Sequence, residues 1–472
     1  MRSNRRIYTI IMAVLAAALL LPACQPTPDE AVVINKGDGK LVGIIAGPTA
    51  SQQTIASKET GNIEEADAGE TVTYTEHWKE TYTLPYLTCE IDADVILPVV
   101  NEYPVFKVQQ RDFDTAALSK IVDYFTKDAI GVRDTSDTKE ELENKLIMAK
   151  RGAYVGTDGD CHWEPYEGQA EDIAELEGLI AQAQPEAFDA ITKDAVSIPI
   201  EKTYALPNDK RIYVNSDSKY IDIYSYKYGV LQPESWIVGG EGYPGEPAGT
   251  TINNIKINEE EAKKTAKMLL SDLGIKNFGI AKTEKARIIE CFTYDILSEG
   301  WQITFARNDG RSIPVYIDPS ETGGLLYSKS DEYISQWLAE CLTVYVDENG
   351  IQSFHWEHPT QVVETMNGNV PIKGLDEIKE KIRDCLKYSE GAITQAYMEE
   401  YGEVAKQEIT LNKVVLTNVL IAMKDEPKYH MLVPAWVVYY EQEYSLGTFK
   451  SVIAINAIDG SNIDLEVNLL AG

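Results

Sequence analysis

The stretch from Met431 to Val467 leaves little choice but a β-sheet. It reads Met431-Leu-Val-Pro-Ala-Trp-Val-Val-Tyr-Tyr440, then a polar gap, then Phe449-Lys-Ser-Val-Ile-Ala-Ile-Asn-Ala-Ile-Asp459-Gly460-Ser-Asn-Ile-Asp-Leu-Glu-Val467. The runs are rich in β-branched and aromatic residues, which fit a pleated, half-buried surface, and Asp-Gly is a turn signal. Side chains alternate along a strand, so Trp436 and Val438 share one face and Val437 and Tyr439 the other. Trp436, Tyr439, Tyr440 and Tyr444 form an aromatic group. Aromatics on an exposed sheet face can bind a sugar or peptide, so Trp436, Tyr439 and Tyr440 are the candidate binding residues, although aromatic strand residues are more often packed beneath a helix.

A helix stands before this sheet segment. Leu375, Ile378, Ile382, Cys385 and Leu386 fall on one helical face, and strands are predicted over 414–423, 432–440, 452–458 and 463–467. A weaker copy of the order lies upstream. Asn258-Glu-Glu-Glu261 opens a helix with an apolar stripe of Ala262, Ala266, Leu269, Leu270 and Leu273, and Gly274 closes it. Strands are predicted over 286–295, 301–306 and 312–317, with a turn at Asn308-Asp-Gly310. A helix and a small sheet each have an apolar side to bury, so each helix should cover one sheet face. The fold class is therefore α+β, with small antiparallel sheets packed against helices and a duplicated helix-on-sheet module.

Between Thr71 and Gly245 the signals are mixed. Strands are predicted over 71–78, 89–96, 103–108, 211–214, 220–226 and 236–238. A helix capped by Asp114 carries Leu118, Ile121, Val122 and Phe125 on one face. Thr138-Lys-Glu-Glu141 is a capping box for a second helix, and a third is predicted over 170–183. The glycine-rich run Gly239–Gly249 is too irregular for a helix or strand and marks a boundary. It holds Glu241 and Glu246 and lacks the lysine of a phosphate-binding loop. The expected domains are 71–245, 250–330 and 331–472.

The first residues speak to location. Met1-Arg-Ser-Asn-Arg-Arg6 is cationic, and Ile7–Leu21 is an apolar run short of the roughly 18 residues of a membrane span. It ends in Leu21-Pro22-Ala23-Cys24, which resembles a bacterial lipobox. That resemblance implies cleavage before Cys24, acyl chains such as palmitate on it, and a chain held outside the cytoplasm at the cell membrane. Residues 1–23 are then a lipoprotein signal peptide. Residues 24–70, rich in Pro, Gly, Thr, Ser and acids, are expected to be a flexible tether. The 43 basic and 75 acidic residues give a formal net charge of -32, which excludes nucleic acid as a partner.

No catalytic, metal or cofactor motif survives inspection. Cys89, Cys161, Cys291, Cys341 and Cys385 contain no C-x-x-C pair, and a Cys89–Cys161 disulfide is one open possibility. Cys385 is expected in the core. His355-Trp-Glu-His358 is the densest histidine group among five histidines, is followed by Pro359, and is read as a loop. Cys161-His162 is a further candidate to join it. Asp158-Gly-Asp160 lacks the rest of a calcium loop and is read as a turn, and Asp92-Ala-Asp94 as the solvent face of a strand. Ser216-Asp-Ser-Lys219 has an S-x-x-K spacing but sits between strands, where it reads as a turn. Among 75 acids nothing selects a carboxylate pair, so a cell-envelope hydrolase stands as the alternative.

Val433-Pro-Ala-Trp436 with Ile455-Asn-Ala-Ile-Asp-Gly460 resembles the exported PepSY-type modules and the related YycH/YycI regulators of Gram-positive bacteria. The whole chain resembles clostridial lipoproteins of unknown function. What the resemblance implies is an extracytoplasmic binding, inhibitory or sensing role, with an envelope protein or peptide as partner and the membrane reached through the lipid anchor. It transfers no catalytic residue.

Overall fold

The computed structural model describes residues 45–48, 73–134, 137–155, 161–163, 165–166, 168–183, 188–191, 198–208, 210–226, 229–234, 251–290, 295–307, 340–386, 407–423, 426, 428–444 and 447–463. The fold is α+β, with two large sheets rich in antiparallel pairs. The chain divides into two compact units, each discontinuous in sequence. The first takes residues 1–109, 308–338 and 361–472, and the second takes 110–307 and 339–360.

In the first unit, β1 (Thr73–Thr83) pairs antiparallel with β2 (Leu87–Pro98), and β2 pairs in parallel with β16 (Gln407–Ala422). An antiparallel series follows through β17 (His430–Tyr444), β18 (Gly447–Asn456) and β19 (Asn462–Ile463). The branch strands are β3 (Val105–Gln110), which pairs with β17, and β15 (Thr360–Asn367), which pairs with β3. Along β2 the odd residues Cys89, Ile91, Ala93 and Val95 are buried while Glu90, Asp92 and Asp94 are exposed, the alternation the sequence predicts. The buried set joins Ile378, Ile382 and Leu386 of helix α5, residues 375–386, in one apolar core. The buried Cys89 thiol is free, so no disulfide involves it, and burial pushes its pKa up to about 12. Cys385 is half-buried at the edge of this core and also free.

Of the expected tether over 24–70, the structure describes residues 45–48, and there Ile45 is anchored. It is buried in the same core, and Asn367 Nδ2 donates to the carbonyls of Ile45 at 2.9 Å and Gly47 at 3.3 Å. The sequence there is poor in periodicity, but one apolar side chain with two satisfied carbonyls is enough to seat the segment.

The second unit is built on one long sheet, in the order β10 (Gly229–Pro233), β11 (Phe278–Glu290), β12 (Ile296–Arg307), β13 (Cys341–Asp347), β14 (Gly350–Glu357), β9 (Tyr220–Tyr224), β8 (Arg211–Ser216), β7 (Ile200–Ala205) and β4 (Gly131–Asp134). A small hairpin pairs β5 (Ala153–Val155) with β6 (Cys161–Trp163). The predicted caps are present. Asp114 opens α1 (Thr115–Thr126), a full capping box between Thr138 and Glu141 opens α2 (Lys139–Lys150), and Asn258 opens α4 (Glu259–Leu273). Gly274 closes α4 at φ 67°, a left-handed conformation that suits glycine. Helix α3 (Gln169–Gln182) has no buried residue. Leu118, Ile121 and Val122 of α1 and the predicted stripe of α4 share an apolar core with Ile221, Ile223, Phe354, Trp356, Leu342 and Val344 of the sheet.

The expected boundaries near 245–250 and 330–331 are not where the contacts divide the chain. Strand β14, assigned to the last module, pairs with β9 of the first, and β13 pairs with β12. Strands β1 and β2, assigned to the N-terminal domain, continue into β16. Backbone ladders between distant segments override sequence order, and no local signal announces them. The Gly239–Gly249 run and the predicted strands over 236–238 and 312–317 lie outside the described residues.

Candidate functional site

The residues of the C-terminal signature come together as a buried clamp. Ala457 N donates to Pro434 O at 2.9 Å, and Lys373 N donates to Ala457 O at 2.7 Å. Trp436 is fully buried and its Nε1 donates to Lys373 O at 3.0 Å. Asn456 Oδ1 accepts from Ile458 N at 2.9 Å, and Gly460 turns the chain at φ 78°. The Pro-x-Trp strand and the Asn-Ala-x-x-Gly turn thus hold the segment that enters α5. Trp436 and Tyr439 are buried core residues, the packing reading of this aromatic group, and offer no ligand face there; Tyr440 is half-buried at the core margin. A continuous apolar run buries both of its faces, which is why alternation could not assign a ligand face to it. Lys413 Nζ lies 4.1 Å from the centre of the Tyr439 ring, a cation–π contact on the opposite face from Trp436.

A different group concentrates titratable side chains. On β14, Phe354 and Trp356 point into the core, so Ser353, His355 and Glu357 share the other face. His355 stands directly across from Asp222 on β9, and Glu357 from Tyr220. His355 Nδ1 is 3.7 Å from Asp222 Oδ1, and its Nε2 is 3.5 Å from Glu357 Oε2. The strand ends at Glu357, and His358 follows it at φ 51°, with its Nε2 3.6 Å from the same Glu357 oxygen. Gln110 Nε2 lies 2.9 Å from His358 Nδ1. The loop reading of His355-Trp-Glu-His358 is corrected: three of these residues are in β14, and His358 is in the turn that follows.

Backbone bonds fix this geometry. His358 N donates to Lys219 O, Arg111 N to Pro359 O, and Phe113 N to Ser218 O, each at 2.8 Å. The Ser216–Lys219 stretch is the turn it was expected to be, with Asp217 Oδ1 accepting from Lys219 N and Tyr220 N. Lys219 Nζ is paired with Asp112 at 2.6 Å.

The charges settle into fixed states. Burial alone would lower the His355 pKa, but bonding and attraction to Asp222 and Glu357 outweigh it and raise the value to about 9. His355 is therefore a cation at neutral pH. Burial pushes Glu357 the other way, yet His355 and His358 hold it below the usual carboxylate range. Burial, helped by the positive charge of His355 and Lys219, keeps the His358 pKa below the ordinary value, despite Glu357. A proton locked on His355 makes it a poor general base, and an ionised Glu357 is a poor general acid. Among the described carboxyl groups with a resolved shift, Glu80, Asp92, Asp134, Glu357 and Glu377 are all held low. No group of three or more His, Cys, Asp or Glu side chains among the described residues is placed to hold a metal ion.

A stability consequence follows from His355. Its folded pKa exceeds the unfolded value, so its contribution is whole below pH about 6.5 and is lost as pH rises through about 9. The ring is 33% exposed, so solvent screening limits the effect to the order of 1 kcal/mol. His355→Gln should flatten the urea midpoint across this window relative to the parent. Parallel curves for the two proteins would show that the Asp222–His355–Glu357 arrangement carries no such linkage.

No protein-family model matches the chain, and no curated protein does. A crystal structure of an uncharacterized protein from Eubacterium rectale ATCC 33656 is similar at a TM-score of 0.44 and 14% identity, covering 82% of this chain and 93% of that one.

The remaining candidates separate cleanly. Asp92 and Asp94 lie on the solvent face of β2 as expected, facing His77 and Lys79 of β1. Cys24, Asp158 and Asp160 lie outside the described residues, and of Cys161 and His162 only the backbone is described. Sequence reading missed Asp222 and Gln110. The alternation of Ser353, His355 and Glu357 with Phe354 and Trp356 is a period-two signal that could have identified β14.

Proposed function

We propose that this chain is a lipid-anchored extracytoplasmic protein that binds an envelope protein or peptide, as a regulator rather than as a hydrolase. The observation that supports the binding reading is geometric: the densest titratable group among the described residues, Asp222, His355 and Glu357, is paired within itself at the end of β14. Its histidine is locked as a cation between two carboxylates, which suits electrostatic recognition and turn anchoring and does not suit proton transfer. The location rests on the Leu21-Pro22-Ala23-Cys24 sequence after a cationic and apolar leader. In both units a helix is followed by an antiparallel series, α4 by β11–β14 and α5 by β16–β19, and this order supports a duplicated module of the PepSY type.

The test is fractionation and pull-down from membranes with the parent chain and Cys24→Ser. The parent is expected in the membrane with a specific partner, and the variant in the soluble fraction. Identical fractionation would remove the lipid anchor from the reading. Turnover of a peptide or glycan by the purified chain would replace binding with hydrolysis.

A further inference from the structure

The edges of the two sheets are unequal. Strands β19, β4, β10 and β15 have 2, 4, 5 and 8 residues. Strand β1 has 11, and among the described residues it pairs with β2 alone. A long regular edge presents a row of backbone donors and acceptors on its outer side, and proteins ordinarily shorten, bend or cover such an edge.

The sequence of β1 is Thr-Tyr-Thr-Glu-His-Trp-Lys-Glu-Thr-Tyr-Thr, Thr73 to Thr83. It reads the same in both directions about Trp78, apart from His77 against Lys79. Composition alone does not require this, and a binding edge for an unrelated peptide has no use for it. A two-fold axis does use it, because such an interface brings residue i against j and j against i from the same patch. We propose that β1 is a self-association edge, at which two copies of this chain join antiparallel around Trp78 and continue the sheet across a two-fold axis.

The register follows from the palindrome. Thr73 would face the partner's Thr83, Tyr74 the partner's Tyr82, and Thr75 the partner's Thr81. Thr–Thr and aromatic pairs are favourable cross-strand neighbours. The alternation of exposure keeps each pair on one face, with Tyr74, Glu76, Trp78, Glu80 and Tyr82 inward and the threonines, His77 and Lys79 outward. Like charges also meet in this register, Glu76 with the partner's Glu80 and His77 with the partner's Lys79. Each copy already supplies counter-charges. Glu80 accepts from Arg383 at 2.6 Å and from Trp78 Nε1 at 3.1 Å. Asp92 lies 2.7 Å from His77 and 2.5 Å from Lys79. Glu80, His77 and Lys79 are thus met within each copy, while Glu76 and the net charge of -32 on each chain oppose association.

The experiment uses Thr75→Cys and Thr81→Cys, both at exposed positions, singly and together in the full chain, with mild oxidation. In the proposed register the thiol introduced at position 75 meets the one introduced at position 81 of the second copy. The double variant should therefore give at least about tenfold more covalent dimer than either single variant. Sedimentation velocity of the parent chain should show a reversible dimer that strengthens as salt rises from about 0.01 M to about 0.15 M, where the screening length falls from about 30 to about 8 Å. A parent that stays monomeric across the salt range overturns the proposal, as does equal cross-linking of the single and double variants.

Discussion

Trp436→Ala should cost the first unit about 3–5 kcal/mol, the range for emptying a large aromatic site that cannot fully collapse. Trp436 is fully buried amid Ile378, Ile382, Val414, Leu416 and Ile455. The loss is more than apolar volume. The indole Nε1 satisfies Lys373 O, which would be left without that donor as the chain turns into α5. Trp436→Phe should be milder, because it keeps most of the volume and forfeits the hydrogen bond. With two compact units the unfolding curve need not be two-state, so the measurement is urea denaturation followed by a probe in each unit. The first unit's transition should move and the second's should not. An unmoved first transition would mean that the Pro-x-Trp clamp does not organise that core.

The clamp shows what could be read from the sequence. Its parts were visible as a β-rich run, a tryptophan and an Asn-Ala-x-x-Gly turn. Their meeting at Lys373 was not, because Trp436 and Lys373 are bonded across 63 residues. Local devices were legible for the same reason in reverse. The caps at Asp114, Thr138 and Asn258 are bonds between residues three apart, so the residue types announce them. The parallel pairing of β2 with β16 joins segments from opposite ends of the chain, and nothing local specifies it. Strand β15 was missed because it exposes residues on both faces, including Val362 and Val363, which removes the period-two signature. The candidate site was half legible. The His355–His358 group stood out by composition, but its function in the fold depends on Asp222 and Gln110, supplied by a neighbouring strand and by the end of strand β3 far back in the sequence. The chemistry inverted as well: the sequence offered two loop histidines, and the sheet turned one into a locked cation.

Glu340→Ala should destabilise the second unit by about 3 kcal/mol, toward the low end for breaking a buried pair. The Glu340 side chain is 6% exposed and accepts both Arg307 Nε at 2.7 Å and Arg307 Nη2 at 2.9 Å. Trp356 Nε1 adds a third bond at 3.0 Å. Deleting the carboxylate leaves a guanidinium and an indole N–H without that acceptor, beside an aromatic group they help to order. Arg307 lies 5.0 Å from the Phe278 ring centre, and Trp356 meets Phe278 and Phe113 edge-on at 5.8 and 5.0 Å. Arg307 is 19% exposed, so water can reach it in the variant, which is why the lower end of the range applies. The pair itself need not be strongly stabilising, since removing both charges avoids the unpaired state. Glu340→Leu with Arg307→Met should therefore recover most of the loss, and a double-mutant cycle measures the coupling. A loss below about 1 kcal/mol in Glu340→Ala would place the pair with ordinary surface ion pairs. Trp356 is the link between the two predictions for this unit. It lies between His355 and Glu357 on β14, with its ring on the helix side of the sheet. Loosening it through Glu340 should also relax the strand that holds His355 between its carboxylates, so the alkaline loss of stability should shrink in Glu340→Ala even though that residue faces neither Asp222 nor Glu357 across the ladder.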